Sequence, residues 1–182
     1  MVKERFLELP LNKMKKIWIV ATLCIVALFA TLQFYIYLSR PTSNEELRTR
    51  VAGLPSLTLT TLGGTTLQFK TDSSLVLIYF NSECDHCQRE IVAIHSSMDL
   101  FKSSRLVFMS SQSLDEIKTF ANGFDFASCA NVAFVKIEHQ ELAEVFGTLA
   151  VPQIFVFGAN GKLVSLFSGE TKPEIIANAL TR

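Results

Sequence analysis

The apolar positions of this chain fall into three kinds of pattern, and each predicts a different element. Ile17 to Leu38 (IWIVATLCIVALFATLQFYIYL) carries no charged side chain. At about 1.5 Å per helical residue it is long enough to cross the roughly 30 Å hydrocarbon layer of a bilayer. Residues 39–53 are polar and broken by Pro41 and Gly53, which reads as a linker or stalk with at most a helical turn. From Leu54 onward short apolar runs alternate with segments of helical period. LTLT and TTLQF flank Gly63 and Gly64 as a β-hairpin would, and Ser74 to Phe80 is apolar without alternation, as expected of a strand covered on both faces.

Ile91, Ile94, Met98 and Phe101 then recur at helical spacing and define one buried stripe. RLVFM (105–109) predicts the next strand. SLDEIKTFA (113–121) predicts a helix that opens with a capping box, Ser113 followed by Glu116. VAFVKI predicts a strand, HQELAEVFG a helix closed by Gly147, and QIFVF and KLVSLFS a hairpin around GANG, where Asn160 and Gly161 suit positive φ. KPEIIANAL predicts a last helix with Pro173 in its first turn. Parallel strands joined by helices and finished by an antiparallel hairpin make an α/β sandwich. The expected organisation is a segment 1–16, a transmembrane anchor 17–38, a linker 39–53 and one folded domain 54–182.

Charge changes this picture in two ways. The 182-residue chain has 17 basic and 17 acidic side chains, but Lys3, Arg5, Lys13, Lys15, Lys16 and Arg40 stand in its first forty residues against only Glu4 and Glu8. The lysines before the apolar run keep its N-terminal side in the cytoplasm, so the domain is expected outside it, with Trp18, Tyr35 and Tyr37 in the interfacial belts. This places the chain in the cytoplasmic (inner) membrane with one span and its domain in the periplasm or another extracytoplasmic space. A cleaved signal peptide is the competing reading, but the run is longer than such a segment needs and ends in YLSRPTS without a small-residue site. The domain itself is mildly acidic and has no basic stripe, which excludes nucleic acid as a partner.

The candidate chemistry lies in NSECDHCQRE (81–90), directly after the strand LVLIYF. Cys84 falls where strand gives way to helix, and unpaired amides at a helix start favour a thiolate there. Cys87, one turn later, is within reach, so the pair can close into a disulfide and reopen, with Cys84 attacking and Cys87 resolving. The residues between them act in opposite senses: protonated His86 would stabilise the thiolate and Asp85 would repel it. No other cysteine or histidine pair completes a zinc site, so no metal and no cofactor are expected. Cys129 reads as a buried thiol, with a regulatory disulfide as the alternative. His95 shares the apolar stripe and reads as a packed, hydrogen-bonded histidine.

The strand, Cys84 to Cys87, the helix and the later Val151-Pro152 before a strand together resemble thioredoxin-fold thiol:disulfide oxidoreductases, and the anchor and extra hairpin resemble their membrane-tethered TlpA-like branch. The resemblance implies a thioredoxin-like fold with a mixed central sheet flanked by helices. It implies a cis bond before Pro152, a Val151 backbone that docks an extended disulfide-containing protein substrate, and a membrane-embedded electron donor. The chain departs from the family pattern at Glu83, where a tryptophan often precedes the first cysteine, and at Ile78, where thioredoxins carry a buried acid. Glu83 is therefore a candidate proton-transfer or redox-tuning group. The alternative function is copper delivery through Cys84, Cys87 and His139. Against the strongly oxidising members, Asp85 offsets His86, and disulfide reduction is the expected direction.

Overall fold

The computed structural model describes residues 11–38, 43–69, 72–126 and 129–181. Lys3, Glu4, Arg5 and Glu8 of the basic N-terminal segment lie outside the described residues, as do Arg40 and Pro41 of the linker. The chain divides into two compact units, Met1–Pro41 and Thr42–Arg182.

The first unit contains one helix, α1 (Leu11–Leu38), whose stretch Ile17–Phe34 is apolar and long enough to cross a membrane. Its large side chains, Trp18, Leu23, Leu28 and Phe29 among them, are exposed. A helix apolar on all sides has no single face to bury in a globular core, and a lipid environment satisfies every side at once.

The second unit begins with α2 (Ser43–Arg50), followed by β1 (Leu59–Thr61), β2 (Thr66–Leu67) and β3 (Ser74–Tyr79). Then come α3 (Asp85–Ser96), a 3₁₀ turn (Met98–Phe101), β4 (Ser104–Ser110), α4 (Leu114–Ala121), β5 (Val132–Lys136) and α5 (His139–Phe146). The hairpin of β6 (Gln153–Phe157) and β7 (Leu163–Ser168) and the helix α6 (Pro173–Leu180) close the fold. The seven strands form one mixed sheet in the order β2-β1-β5-β4-β3-β6-β7. β3 pairs parallel with β4 and antiparallel with β6, and β4 pairs parallel with β5.

β3 is central because both of its faces are apolar. Val76, Ile78 and Phe80 pack under Cys87, Ile91, Ile94, Ile117 and Ile176 from α3, α4 and α6. Leu75 and Leu77 pack on the other face with Leu142 and Phe146 of α5. Phe80 ends the strand in an aromatic cluster, stacked on Phe120 at 5.0 Å and edge-on to Phe134 at 6.0 Å. The chain that leaves β3 for the cysteines therefore starts from a fixed point.

Three details differ from the sequence reading. The stripe Ile91, Ile94, Met98, Phe101 is not one helix: α3 ends at Ser96, and a 3₁₀ turn carries the last two positions. In the β6–β7 turn only Gly161 takes positive φ, at 73°. Asn160 instead caps the turn, its Oδ1 accepting the Lys162 amide at 3.0 Å.

The larger difference is in the segment expected to be a stalk. It contains α2, whose Leu47 and Val51 are buried with the strands of the second core, and Ser168 donates to Asn44 at 2.7 Å. Gly53 bridges to Lys162, and the Leu54 amide donates to the Gly161 carbonyl at 2.7 Å. Only Leu47 among the eight residues of SNEELRTR is apolar, too few to show an amphipathic period, yet one leucine and the following valine are enough to dock a two-turn helix.

Replacing Leu47 by alanine is expected to lower the unfolding free energy of the domain by about 2 kcal/mol, the low end for truncating a buried leucine. Urea titration followed by near-ultraviolet circular dichroism measures it, and a loss under about 0.5 kcal/mol, the range of ordinary surface substitutions, would mean that α2 adds nothing to the fold.

Candidate active site

The two cysteines sit at the start of α3 because β3 ends in the aromatic cluster and the next three residues are tightly held. The Ser82 amide donates to Gln112 Oε1 at 2.7 Å, Gln112 Nε2 donates back to the Ser82 hydroxyl at 2.9 Å, and Gln88 Nε2 donates to the Ser82 carbonyl at 2.8 Å. The Glu83 amide donates to Asn81 Oδ1 at 2.8 Å. Cys84 is then the N-cap of α3, in extended conformation, with its carbonyl accepting the Gln88 amide at 3.0 Å.

This geometry treats the cysteines unequally. Cys84 is half-buried and its thiol points to the Val151 carbonyl at 3.8 Å. Cys87 faces inward and is fully buried beside Ile78 and Ile91. Burial pushes the Cys87 thiol up to about 12, and the nearby Cys84 and the charge of Glu90 add to the rise, while a backbone bond from Asn81 opposes it. At neutral pH Cys87 holds its proton, so it can act as a nucleophile only when a base removes that proton.

The Val151-Pro152 bond is cis, Pro152 is buried, and Val151 is half-buried against the same core as Cys84. The structure thus brings Cys84, Cys87, Val151 and Pro152 together. Glu83 and Asp85 are exposed at the rim, and His86 is exposed with its Nδ1 on Glu170 Oε2 at 2.7 Å. His139 opens α5, which packs on the opposite face of the sheet from α3. Among the described residues no three of His, Cys, Asp and Glu gather as a metal site. His95 Nε2 bonds to the Asp125 carbonyl at 3.1 Å, with its ring edge-on to Phe126.

The group that sequence reasoning missed is Glu90. It is 2% exposed, one turn beyond Cys87 on the same face of α3. Its Oε2 accepts the Thr171 amide at 2.6 Å and its Oε1 has no hydrogen-bond partner. Burial raises its carboxyl from 4.5 to about 7, against the lowering effect of the Thr171 bond. A buried acid that titrates near neutrality is suited to proton transfer, and Ile78 packs in the same cluster as Cys87. The available signal was the spacing: Glu90 is the one charged residue on the inward stripe Cys87, Ile91, Ile94.

The fold is thioredoxin-like: a mixed sheet between helices, with the cysteine pair at the head of the helix that follows the central strand. No family model matches the sequence, and no curated protein matches it. Solved structures do match in three dimensions. A thioredoxin-like protein from Porphyromonas gingivalis is 22% identical with a TM-score of 0.56 over 70% of this chain and 90% of that one. A secreted Mycobacterium tuberculosis disulfide oxidoreductase homologous to E. coli DsbE is 13% identical, TM-score 0.58, over 74% and 98%. StoA from Bacillus subtilis is 18% identical, TM-score 0.54, over 71% and 98%. At these identities the likeness is one of fold.

The raised Glu90 carboxyl makes a signed prediction. Between pH 4.5, where an unfolded glutamate ionises, and about pH 7, the folded chain keeps a proton that the unfolded chain has released. The contribution of this group is fully present below that window and is lost as the pH rises through it. Glu90→Gln removes the dependence, so the stability of the variant relative to wild type should grow between pH 5 and pH 8 by about 2–3 kcal/mol, at about 1.4 kcal/mol per pKa unit. Urea midpoints at the two pH values test it, and an equal difference at both would show that Glu90 ionises freely.

Proposed function

We propose that this protein is a membrane-anchored thiol:disulfide oxidoreductase that reduces protein disulfides through Cys84 and Cys87. The observation that carries the reading is the asymmetry of the pair, one sulfur half-buried beside the Val151 carbonyl and the other fully buried with a raised pKa. The thioredoxin-like fold, shared with known disulfide oxidoreductases, supports it.

In the proposed reaction the Cys84 thiolate attacks one sulfur of a substrate disulfide and the other substrate sulfur leaves as a thiolate. Cys87 then gives its proton to the Glu90 carboxylate and attacks Cys84 Sγ, which releases the second substrate thiolate and leaves a Cys84–Cys87 disulfide. Two electrons pass from the dithiol to the substrate; the Cys87 proton rests on Glu90, and the two substrate thiolates take their protons from solvent. A membrane-embedded donor of dithiol electrons regenerates the pair. The substrate backbone docks as an extended strand against Val151, a mode that gives affinity with little side-chain selectivity. The long apolar helix supports anchoring in the cytoplasmic membrane, and Lys13, Lys15 and Lys16 before it support an extracytoplasmic domain. Copper delivery through Cys84, Cys87 and His139 has less support, since His139 belongs to a helix on the other sheet face.

Cys87→Ser should trap mixed disulfides through Cys84, visible as non-reducing gel adducts that dissolve in dithiothreitol, whereas Cys84→Ser should trap few. Equal trapping by the two variants would sink the division of labour. Stoichiometric Cu(I) binding that is lost with His139→Ala, together with no adducts, would favour the copper carrier instead.

A further inference from the structure

Three consecutive residues after β7 touch three separate parts of the redox site. The Gly169 amide donates to the Pro152 carbonyl at 2.8 Å, and the Thr171 amide donates to Glu90 at 2.6 Å. Between them, Glu170 reaches the outer face of α3. Gly169 takes a φ of 82°, which turns the chain out of the β-strand direction, and an added Cβ there would meet no atom within 4 Å. The glycine is required by its backbone angle and not by space.

Glu170 Oε2 lies 2.7 Å from His86 Nδ1, and its two oxygens accept from Arg89 Nε at 2.8 Å and Arg89 Nη2 at 3.0 Å. Arg89 Nη2 is also 2.8 Å from His86 Nδ1. A carboxylate can only accept and a guanidinium can only donate, so Nδ1 either gives a hydrogen to Glu170 or accepts one from Arg89, and in both cases the imidazole is held within this trio. Arg89 and His86 together hold the Glu170 carboxyl down at about 2, so it is ionised at any working pH. The charge of Arg89 in turn interacts with Cys84 and Asp85.

We propose that Glu170 is a positioning residue that sets the reduction potential of the Cys84/Cys87 pair by pinning the His86 imidazole and the Arg89 guanidinium to itself. The proposal rests on the dithiol reading above and adds what decides the contest between His86 and Asp85. Positive charge turned toward Cys84 would stabilise its thiolate and with it the reduced form, which makes a disulfide more oxidising. Glu170 draws the His86 imidazole and the Arg89 guanidinium onto one negative group and fixes their direction. Asp85 and Glu83 stay exposed at the same rim, with the Arg89 charge held on Glu170. The trio is well exposed, 64% for His86 and 55% for Arg89. Exposed pairs of this kind add little to stability, so its consequence is local charge and orientation.

Glu170→Gln leaves the hydrogen-bonding shape nearly intact and removes the charge. The substitution removes one negative charge from the rim and loosens the hold on His86 and Arg89, so the expected shift has one sign, toward the reduced form. Equilibration of the full-length chain in detergent micelles against glutathione at pH 7 should show the dithiol favoured about tenfold more in the variant than in wild type, a rise of about 30 mV. The same substitution in a background that lacks both partners, His86→Ala with Arg89→Ala, should move the equilibrium by no more than about twofold, as expected for residues coupled through direct contact. Urea midpoints should be unchanged. A Glu170→Gln potential equal to or below wild type overturns the proposal, and so does an undiminished shift in the background that lacks both His86 and Arg89 side chains, which would mean that Glu170 acts on the thiolate directly. A wild-type chain that never exchanges with glutathione would overturn the oxidoreductase reading and the tuning role with it, and it is told apart by failing before any variant is made.

Discussion

The burial of one helical stripe against one strand fixes everything at this site. Cys87, Ile91 and Ile94 are fully buried on Val76, Ile78 and Phe80, and a buried aliphatic side chain is worth about 1.5–3 kcal/mol. That packing sets the rotation of α3 about its axis. Once Cys87 faces the sheet, Cys84 is carried to the rim beside Val151, and the exposed positions His86 and Arg89 point away from the core toward the loop after β7. The unequal exposure of two chemically identical thiols is therefore a consequence of helical periodicity.

The same stripe imposes a cost. Glu90 occupies an inward position one turn beyond Cys87, and a single amide from Thr171 is the hydrogen bond that reaches it. A buried carboxylate with one oxygen unpartnered destabilises a fold, and the usual response is to keep the proton. Such a residue persists where surrounding packing over-determines its place. Here α3 is held by Ile91 and Ile94 on one side, and the Gly169–Thr171 segment is held by the Pro152 carbonyl on the other.

Much of this was legible in the sequence and some was not, and the boundary follows the range of the interactions. Local patterns carried through: the unalternating run before the cysteines became the central strand β3, Ser113 and Glu116 became a capping box, and Pro173 opened α6. These signals lie within a few residues of one another. Glu90 was hidden because a glutamate in a helix reads as surface charge until the opposing face is known. The clamp of His86 by Glu170 spans 84 positions and depends on a glycine turn whose direction no local pattern specifies. The helix α2 was mistaken for linker because its burial rests on Leu47 and Val51 alone.

Glu90 and Cys87 are also bound to each other by more than neighbourhood. The charge of Glu90 is the last of several causes of the raised Cys87 thiol, after burial and the contact with Cys84. With Cys87 a thiol and Glu90 ionised, the two groups hold one proton between them, and it resides on the buried sulfur. When Cys87 becomes part of a disulfide it can no longer hold that proton, and the nearest buried group able to take it is the carboxylate whose own pKa has been moved up to about 7. Desolvation, which raises both groups, thus does two things at once. It keeps Cys87 inert until Cys84 is engaged, and it makes Glu90 basic enough to accept what Cys87 must release. On the oxidoreductase reading, the resolving step is gated by the same burial that orients the helix.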